Sequence, residues 1–259
     1  MGEILGNSAI EKFTILIPYR HNEDELRLKA LDELHRCISI QTEKNFEIIV
    51  VEQVLNNKIG FPDIGELSKH IILQDPLNRA FNKSWLMNVG IKQATTNNIL
   101  ILDADISFGK DYFYRIFDFQ KSHDYPFFHG YSWICLMPGR DNPYLRVSSH
   151  KGVTCVGGSW FTKRDYFFTE LGGMNENYFG YGGEDYDMWA RATFVLGEIP
   201  TMDYAIVHNY HHWEKVGVTC NDSFKTKYNV EEVLKRLKGK KLGNIQEPTL
   251  IKRDDLKGE

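Results

Sequence analysis

Asp103 and Asp105 stand two apart at the end of an apolar run, Ile99-Leu100-Ile101-Leu102, which polar Asn97 and Asn98 precede. Alternate residues of an extended segment face one side, so the two carboxylates can point into one crevice and share a hard cation. Glu184, Asp185 and Asp187 follow the glycine-rich stretch Gly180-Tyr181-Gly182-Gly183. The glycines permit close backbone approach to a ligand, and the acids fall in a helix's first turn. His208, His211 and His212 crowd into five residues, and imidazoles so placed are candidate metal ligands. Arg20, just after Pro18, and Lys83, just after Phe81-Asn82, could pair with an anion. Each group has a plainer explanation. An isolated Asp-X-Asp often builds a turn, and acids at a helix start answer the helix dipole. Single basic residues and His-rich loops are often merely solvated.

The surrounding pattern says what must position these groups. Residues 13–17 are a β-rich run that Pro18 is expected to stop, residues 26–40 carry Leu28, Leu31, Leu34 and Ile38 at helical spacing, and residues 46–51 are a second apolar strand. Strand, helix and strand within about 40 residues make a right-handed βαβ unit and predict a parallel sheet. Residues 70–73 read as a third strand. The stretch 81–90, with Trp85, Leu86 and Val89, reads as a helix packed beside the Asp103 strand. Residues 111–120 read as the next helix, 165–171 as a short one ended by Gly172-Gly173, and 205–207 as a strand leading to the histidines. In an open α/β sheet, ligands bind at the carboxyl ends of the strands, where Arg20 and the two Asp residues fall. From 125 to 161 the pattern is irregular and aromatic, with a polar loop at 140–150 expected to carry substrate selection.

The chain has 259 residues, enough for one large α/β domain with a buried core. A net charge of -4 argues against a basic nucleic-acid surface, so no nucleic-acid partner is expected. Cys37, Cys135, Cys155 and Cys220 form no Cys-X-X-Cys pair, so they read as reduced thiols. Residues 1–12 lack the basic start and apolar run of a signal peptide, and no apolar stretch reaches the roughly 20 residues a bilayer requires. A cytoplasmic protein is expected. Residues 224–241 combine Phe224, Tyr228, Val230, Val233, Leu234 and Leu237 with many lysines, a basic helix with an apolar stripe. Its expected place is docked on the domain, with peripheral contact to the inner face of an anionic membrane as the alternative.

Four blocks in order resemble a GT-A glycosyltransferase, most closely the group of the β-1,4-galactosyltransferases and the catalytic domains of chondroitin-polymerase-like bacterial enzymes. Ile17-Pro18-Tyr19-Arg20 is similar to that group's Ile-Pro-Phe-Arg loop. Residues 81–90 are similar to its Phe-Asn-Arg-Ala-Lys-Leu-Leu-Asn-Val-Gly segment. Asp103-Ala104-Asp105 matches its Asp-X-Asp motif, and Gly180-Tyr181-Gly182-Gly183-Glu184-Asp185 resembles its Trp-Gly-Trp-Gly-Gly-Glu-Asp block.

The resemblance implies an α/β fold of GT-A (Rossmann-like) type, a mostly parallel central sheet flanked by helices in a single domain. That domain would span 1–224, with a nucleotide-binding half at about 12–122, an acceptor half at about 123–224, and a tail at 225–259. It implies an inverting transfer of galactose or N-acetylgalactosamine from a UDP-sugar to a glycan or lipid-linked glycan hydroxyl, in bacterial surface-polysaccharide synthesis. Pro18, Arg20, Phe81, Lys83, Asp103, Gly158 and Tyr181 would contact the donor. Tyr181, Gly183, Glu184 and Tyr186 would contact the acceptor. Asp105, His208 and His211 would hold Mn2+ or Mg2+, with His212 competing for the last place. Asp185 would be the base, with Glu184 orienting the acceptor or standing in for it.

Departures are also visible. Tyr186 replaces a further acceptor-contacting Asp, and the Val156-Gly157-Gly158-Ser159 loop is one residue short before Lys163. A non-catalytic scaffold on the same fold is the alternative, along with a sugar nucleotidyltransferase. The latter would need a Gly-rich loop where this chain has Pro18-Tyr19-Arg20.

Overall fold

Odd and even residues of the first strand enter two different cores, and that alternation organises the whole molecule. In a computed structural model the described residues are 11–20, 24–54, 59–62, 67–137, 146–149, 157–180, 183–211 and 250–251. Strand β1 (Phe13–Tyr19) is buried throughout. Phe13, Ile15, Ile17 and Tyr19 pack on one face with Leu31, Leu34 and Ile38 of helix α1 (Glu25–Ser39). Leu16 packs on the other face with Trp85, Leu86, Met87 and Ile91 of helix α2 (Lys83–Gln93). The same split divides β2 (Phe46–Val54) and β4 (Asn98–Leu102), which flank β1 in parallel. Strand β3 (Lys69–Gln74) extends the parallel sheet beyond β2. A strand covered on both sides is apolar along most of its length, which is why these runs do not alternate regularly with polar residues.

The full sheet has seven strands in the order β11-β3-β2-β1-β4-β9-β6, with β6 (Phe127–His129), β9 (Ser159–Lys163) and β11 (Leu250–Ile251). Strand β9 runs antiparallel to both β4 and β6, and β11 antiparallel to β3. The sheet is therefore mixed, three of its six pairings being parallel, around the expected parallel centre β3-β2-β1-β4 flanked by helices. Strand β11 comes from the segment assigned to a tail, and residues 224–241 lie outside the described residues. A second sheet, in the order β5-β10-β7-β8, joins β5 (Ile106–Ser107), β7 (Trp133–Leu136), β8 (Arg146–Ser149) and β10 (Ala205–His208). Helices α3 (Tyr112–His123), α4 (Arg164–Thr169) and α5 (Glu184–Leu196) complete the chain.

Two expectations need correction. Pro18 does not stop β1, which continues to Tyr19 in register with Glu52. Pairing with β4 has already ended at Leu16, so the proline sits where the strand is paired on one side only, the place a missing N–H is tolerated. The polar loop expected at 140–150 contains strand β8, paired with β7; residues 138–145 and 150 lie outside the described residues.

Helix α2 is held unusually close to the sheet. A Cβ on Gly90 would collide with Leu16 and Val51, so only glycine fits there. Asn82 caps the helix by accepting from the Trp85 N–H at 2.9 Å, and its side-chain amide donates to the Glu176 carbonyl at 2.7 Å. Asn88 makes a two-way bond with the Met174 backbone, at 2.8 and 3.0 Å. The two asparagines thus tie the approach to α5 onto the start of α2.

Candidate active site

The carboxyl ends of β1 and β4, the first turns of α2 and α5, and the last residues of β10 meet at one edge of the sheet. Asp103 follows β4 directly. Its N–H donates to the Gly158 carbonyl at 2.8 Å, and its Oδ2 accepts from the Gly158 N–H at 3.0 Å. Gly158 makes this exchange with φ +93, a left-handed conformation that favours glycine. Asp103 Oδ1 lies 2.7 Å from Lys83 Nζ, the first residue of α2. The same ammonium reaches Asp185 Oδ2 at 3.0 Å and Glu184 Oε1 at 4.0 Å. Both acids open α5 behind Gly183, whose φ is +97. A Cβ on neighbouring Gly157 would sit 2.5 Å from Asp185 Oδ2, so the 157–158 backbone is pressed against the carboxylates. Buried Tyr131 secures it, donating to the Gly157 carbonyl at 2.5 Å.

Burial alone would drive a proton off Lys83, but Asp103, Asp185 and Glu184 outweigh it and hold the ammonium charged, its pKa well above the ordinary value. Glu184 shows the opposite balance. Desolvation, then the charge of Asp185, pushes it up to about 8 against the pull of Lys83. A carboxyl whose pKa is raised on folding keeps its proton better when folded. Its contribution to stability is therefore present below its unfolded pKa and is lost as pH rises toward about 8. Each pH unit in that window costs at most about 1.4 kcal/mol. Thermal melts of the wild type should fall through this window, and Glu184→Gln should flatten the fall. Parallel pH profiles for the two proteins would contradict the assignment.

A separate group lies beside this cluster. Strand β5 pairs antiparallel with β10, placing His208 opposite Ile106, and the Asn209 N–H donates to the Asp105 carbonyl at 2.8 Å. His211 Nε2 is thereby brought to 3.0 Å from Asp105 Oδ2, and His208 Nε2 to 3.7 Å from Oδ1. One ligand atom from each residue lies within 4.8 Å of the others, the size of a metal cage. Asp105 Oδ1 is buried without a hydrogen bond, as a carboxylate oxygen awaiting a cation would be. Burial raises Asp105, but the two imidazoles, His208 first, more than offset it and hold the carboxyl well below its usual range. A His-His-Asp set suits manganese and other divalent first-row metals.

Strand alternation, expected to bring Asp103 and Asp105 into one crevice, does not place them. Residues 104 and 105 form a turn, and the two carboxylates go to different partners, one to Lys83 and one to the histidines. Lys83, expected as an anion holder, is engaged with carboxylates. His211 is the buried histidine of the pair; His212 and Tyr181 lie outside the described residues. Pro18 lies at the end of β1 and Arg20 directly follows it, and half-buried Phe81 receives the Gly180 N–H on its carbonyl at 2.7 Å. Tyr186 is half-buried on the first turn of α5. Sequence reasoning missed Arg191, which is fully buried. It bonds Asp187 at 2.7 and 3.0 Å, Gly173 O at 2.6 Å and the Leu171 carbonyl. Its signal was there: Asp187 and Arg191 are four apart on a helix, a pairing distance.

The profile of a family described as the N-terminal domain of galactosyltransferase matches residues 144–215, which contain the Gly157-Gly158 turn, the α5 acids and both histidines. Human β-1,4-galactosyltransferase 4 is 26% identical over 187 residues, covering 71% of this chain and 43% of that protein. The chain thus spans less than half the length of the curated relatives it matches. Among solved structures, Staphylococcus aureus TarS superposes with a TM-score of 0.57 at 16% identity, over 77% of this chain and 37% of that one. The catalytic domain of Drosophila β-1,4-galactosyltransferase 7 gives 0.50 at 17% identity, over 92% and 85%. The chain has the GT-A fold and is similar in sequence to the galactosyltransferases. The described residues of the motif blocks read from the sequence reach a single sheet edge. Among the described residues no helix is long and apolar enough to cross a membrane.

Proposed function

We propose that this chain is a metal-dependent, inverting glycosyltransferase that moves a hexose or N-acetylhexosamine, of galactose or N-acetylgalactosamine type, from a UDP-sugar to a glycan hydroxyl. The observation that carries it is the pairing of two sites on one edge, the Asp105–His208–His211 cage and the Lys83-anchored acids Asp103, Glu184 and Asp185. A TarS structure is of a complex with UDP-GlcNAc, and the Drosophila structure is of a complex with xylobiose; both support a sugar-nucleotide donor and a saccharide acceptor. Within the glycan class, a lipid-linked intermediate of bacterial polysaccharide synthesis is proposed on the resemblance to chondroitin-polymerase-like enzymes. Peripheral attachment to the cytoplasmic face of the membrane through the basic tail belongs to the same proposal.

A bound Mn2+ or Mg2+ would supply positive charge against the departing diphosphate. Arg20 would add to it, a reading supported by its Nη1, which is buried without a hydrogen bond. Phe81 offers a ring face to the base, while Pro18, Asp103 and Gly158 line the donor side. On the acceptor side, Asp185 takes the proton of the attacking hydroxyl as the new C–O bond forms and the anomeric C–O bond to phosphate breaks, its electron pair leaving with UDP. Lys83 fixes the direction of that carboxylate. Protonated Glu184 is a hydrogen-bond donor to the acceptor, whose seat includes Tyr181, Gly183 and Tyr186.

Release of UDP from a UDP-sugar, followed with a panel of saccharide acceptors and manganese, tests the reaction. Asp105→Ala should lower turnover to background and weaken manganese binding by at least roughly 10-fold, the scale of losing a charged ligand. Unchanged manganese affinity in that variant would remove Asp105 from the metal site.

A further inference from the structure

Among the described residues, Arg27 is a further cation near this edge to which no role has yet been given. Arg27 is the third residue of α1, whose amino-terminal end adjoins the carboxyl end of β1. The chain leaving Asp105 runs along α1, with β5 packed against the helix and the Gly109 and Lys110 carbonyls bonded to Gln41 and Thr42 beyond its far end. Arg27, near the helix start, therefore lies on the Asp105 side.

The polar atoms left unsatisfied there form a pattern. Arg20 Nη1 and Arg27 Nε are buried donors with no acceptor, and Asp105 Oδ1 is a buried acceptor with no donor. Leaving a charged group's donor buried and unmade is costly, so such atoms ask for a partner. Two buried guanidinium N–H groups and a buried carboxylate oxygen, none of them hydrogen-bonded, are together complementary to an anion carrying a divalent cation, which is a metal diphosphate. A guanidinium suits this better than an ammonium, because its fork of N–H groups matches phosphate oxygens.

We propose that Arg27 is a second diphosphate-binding residue, donating its Nε–H to the donor's phosphate oxygens beside Arg20 and across from the Asp105 metal cage. This rests on the nucleotide-sugar assignment made above, and the experiment separates the two. UDP, inorganic diphosphate and uridine are titrated in manganese into the wild type, Arg27→Met and Arg27→Lys, with a thermal melt of each unliganded protein. Arg27→Met should bind UDP and diphosphate roughly 10- to 100-fold more weakly, the loss of one charge-assisted hydrogen bond, with uridine unchanged. Arg27→Lys should recover part of that loss. The unliganded melt should not fall, since the nitrogen removed had no partner. Equal UDP affinity in the wild type and Arg27→Met overturns the assignment and leaves the nucleotide-sugar assignment intact. A lower melt with unchanged diphosphate affinity also overturns it, making Arg27 structural. Arg27-dependent diphosphate binding in a protein that ignores UDP would keep the anion site and sink the nucleotide-sugar assignment.

Discussion

Asp185→Asn should bind UDP-sugar and manganese about as well as the wild type and transfer sugar about 10²- to 10⁴-fold more slowly, the range associated with losing a general base. The geometry separates the two effects. Asp185 is bonded to Lys83 at 3.0 and 3.3 Å, while the metal cage is built from Asp105, His208 and His211. An amide oxygen can still accept from the ammonium, so the side chain keeps its place beside Gly157, where there is no room for it to turn inward. What the amide cannot do is take a proton from a hydroxyl. Calorimetry of donor binding beside a transfer assay checks the claim, and equal losses in both would mean that Asp185 belongs to donor binding instead.

Arg191→Met should destabilise the fold by about 3–5 kcal/mol, a large share of the roughly 5–15 kcal/mol that a domain possesses. The guanidinium is fully buried and answers three groups at once, the Asp187 carboxylate and the carbonyls of Leu171 and Gly173. Removing it strands a buried charge and two acceptors in the core. Because Asp187 sits in the same helical turn as Glu184 and Asp185, the ion pair also fixes the helix that presents the acids. At about 2–4 °C per kcal/mol, the melting temperature should fall by roughly 6–20 °C. Exchanging both partners for apolar residues, Arg191→Met with Asp187→Leu, should recover much of the loss, since no charge is then left unpaired. A single variant that melts with the wild type would show that the pair contributes nothing.

The parts of this structure that were legible in the sequence are those where one physical demand acts alone. Ile99 to Leu102 had to be a buried strand because nothing polar interrupts it, and the acids that follow it had to fall at the sheet's ligand-binding edge. The histidine cluster was legible as a candidate because three imidazoles within five residues follow a strand, whereas the choice of His208 and His211 among them came from the resemblance alone. Illegible were the contacts set by partners distant in the chain. Lys83 is 20 residues from Asp103 and about a hundred from Asp185, and only folding shows that it joins them rather than facing an anion. Pro18 remains in β1 because β4 has already stopped pairing, which no local pattern reveals. Antiparallel β9 was hidden for the same reason, since its place beside β4 depends on a crossover from β6 rather than on its own residues.

The most direct measurement of the central claim is calorimetric titration of UDP-galactose, UDP-N-acetylgalactosamine, UDP-glucose and GDP-mannose into the wild-type protein, each in manganese and again in chelator. Binding of one UDP-sugar that vanishes with the metal is the predicted result. Absence of binding by any of them, or binding indifferent to chelation, would contradict the account.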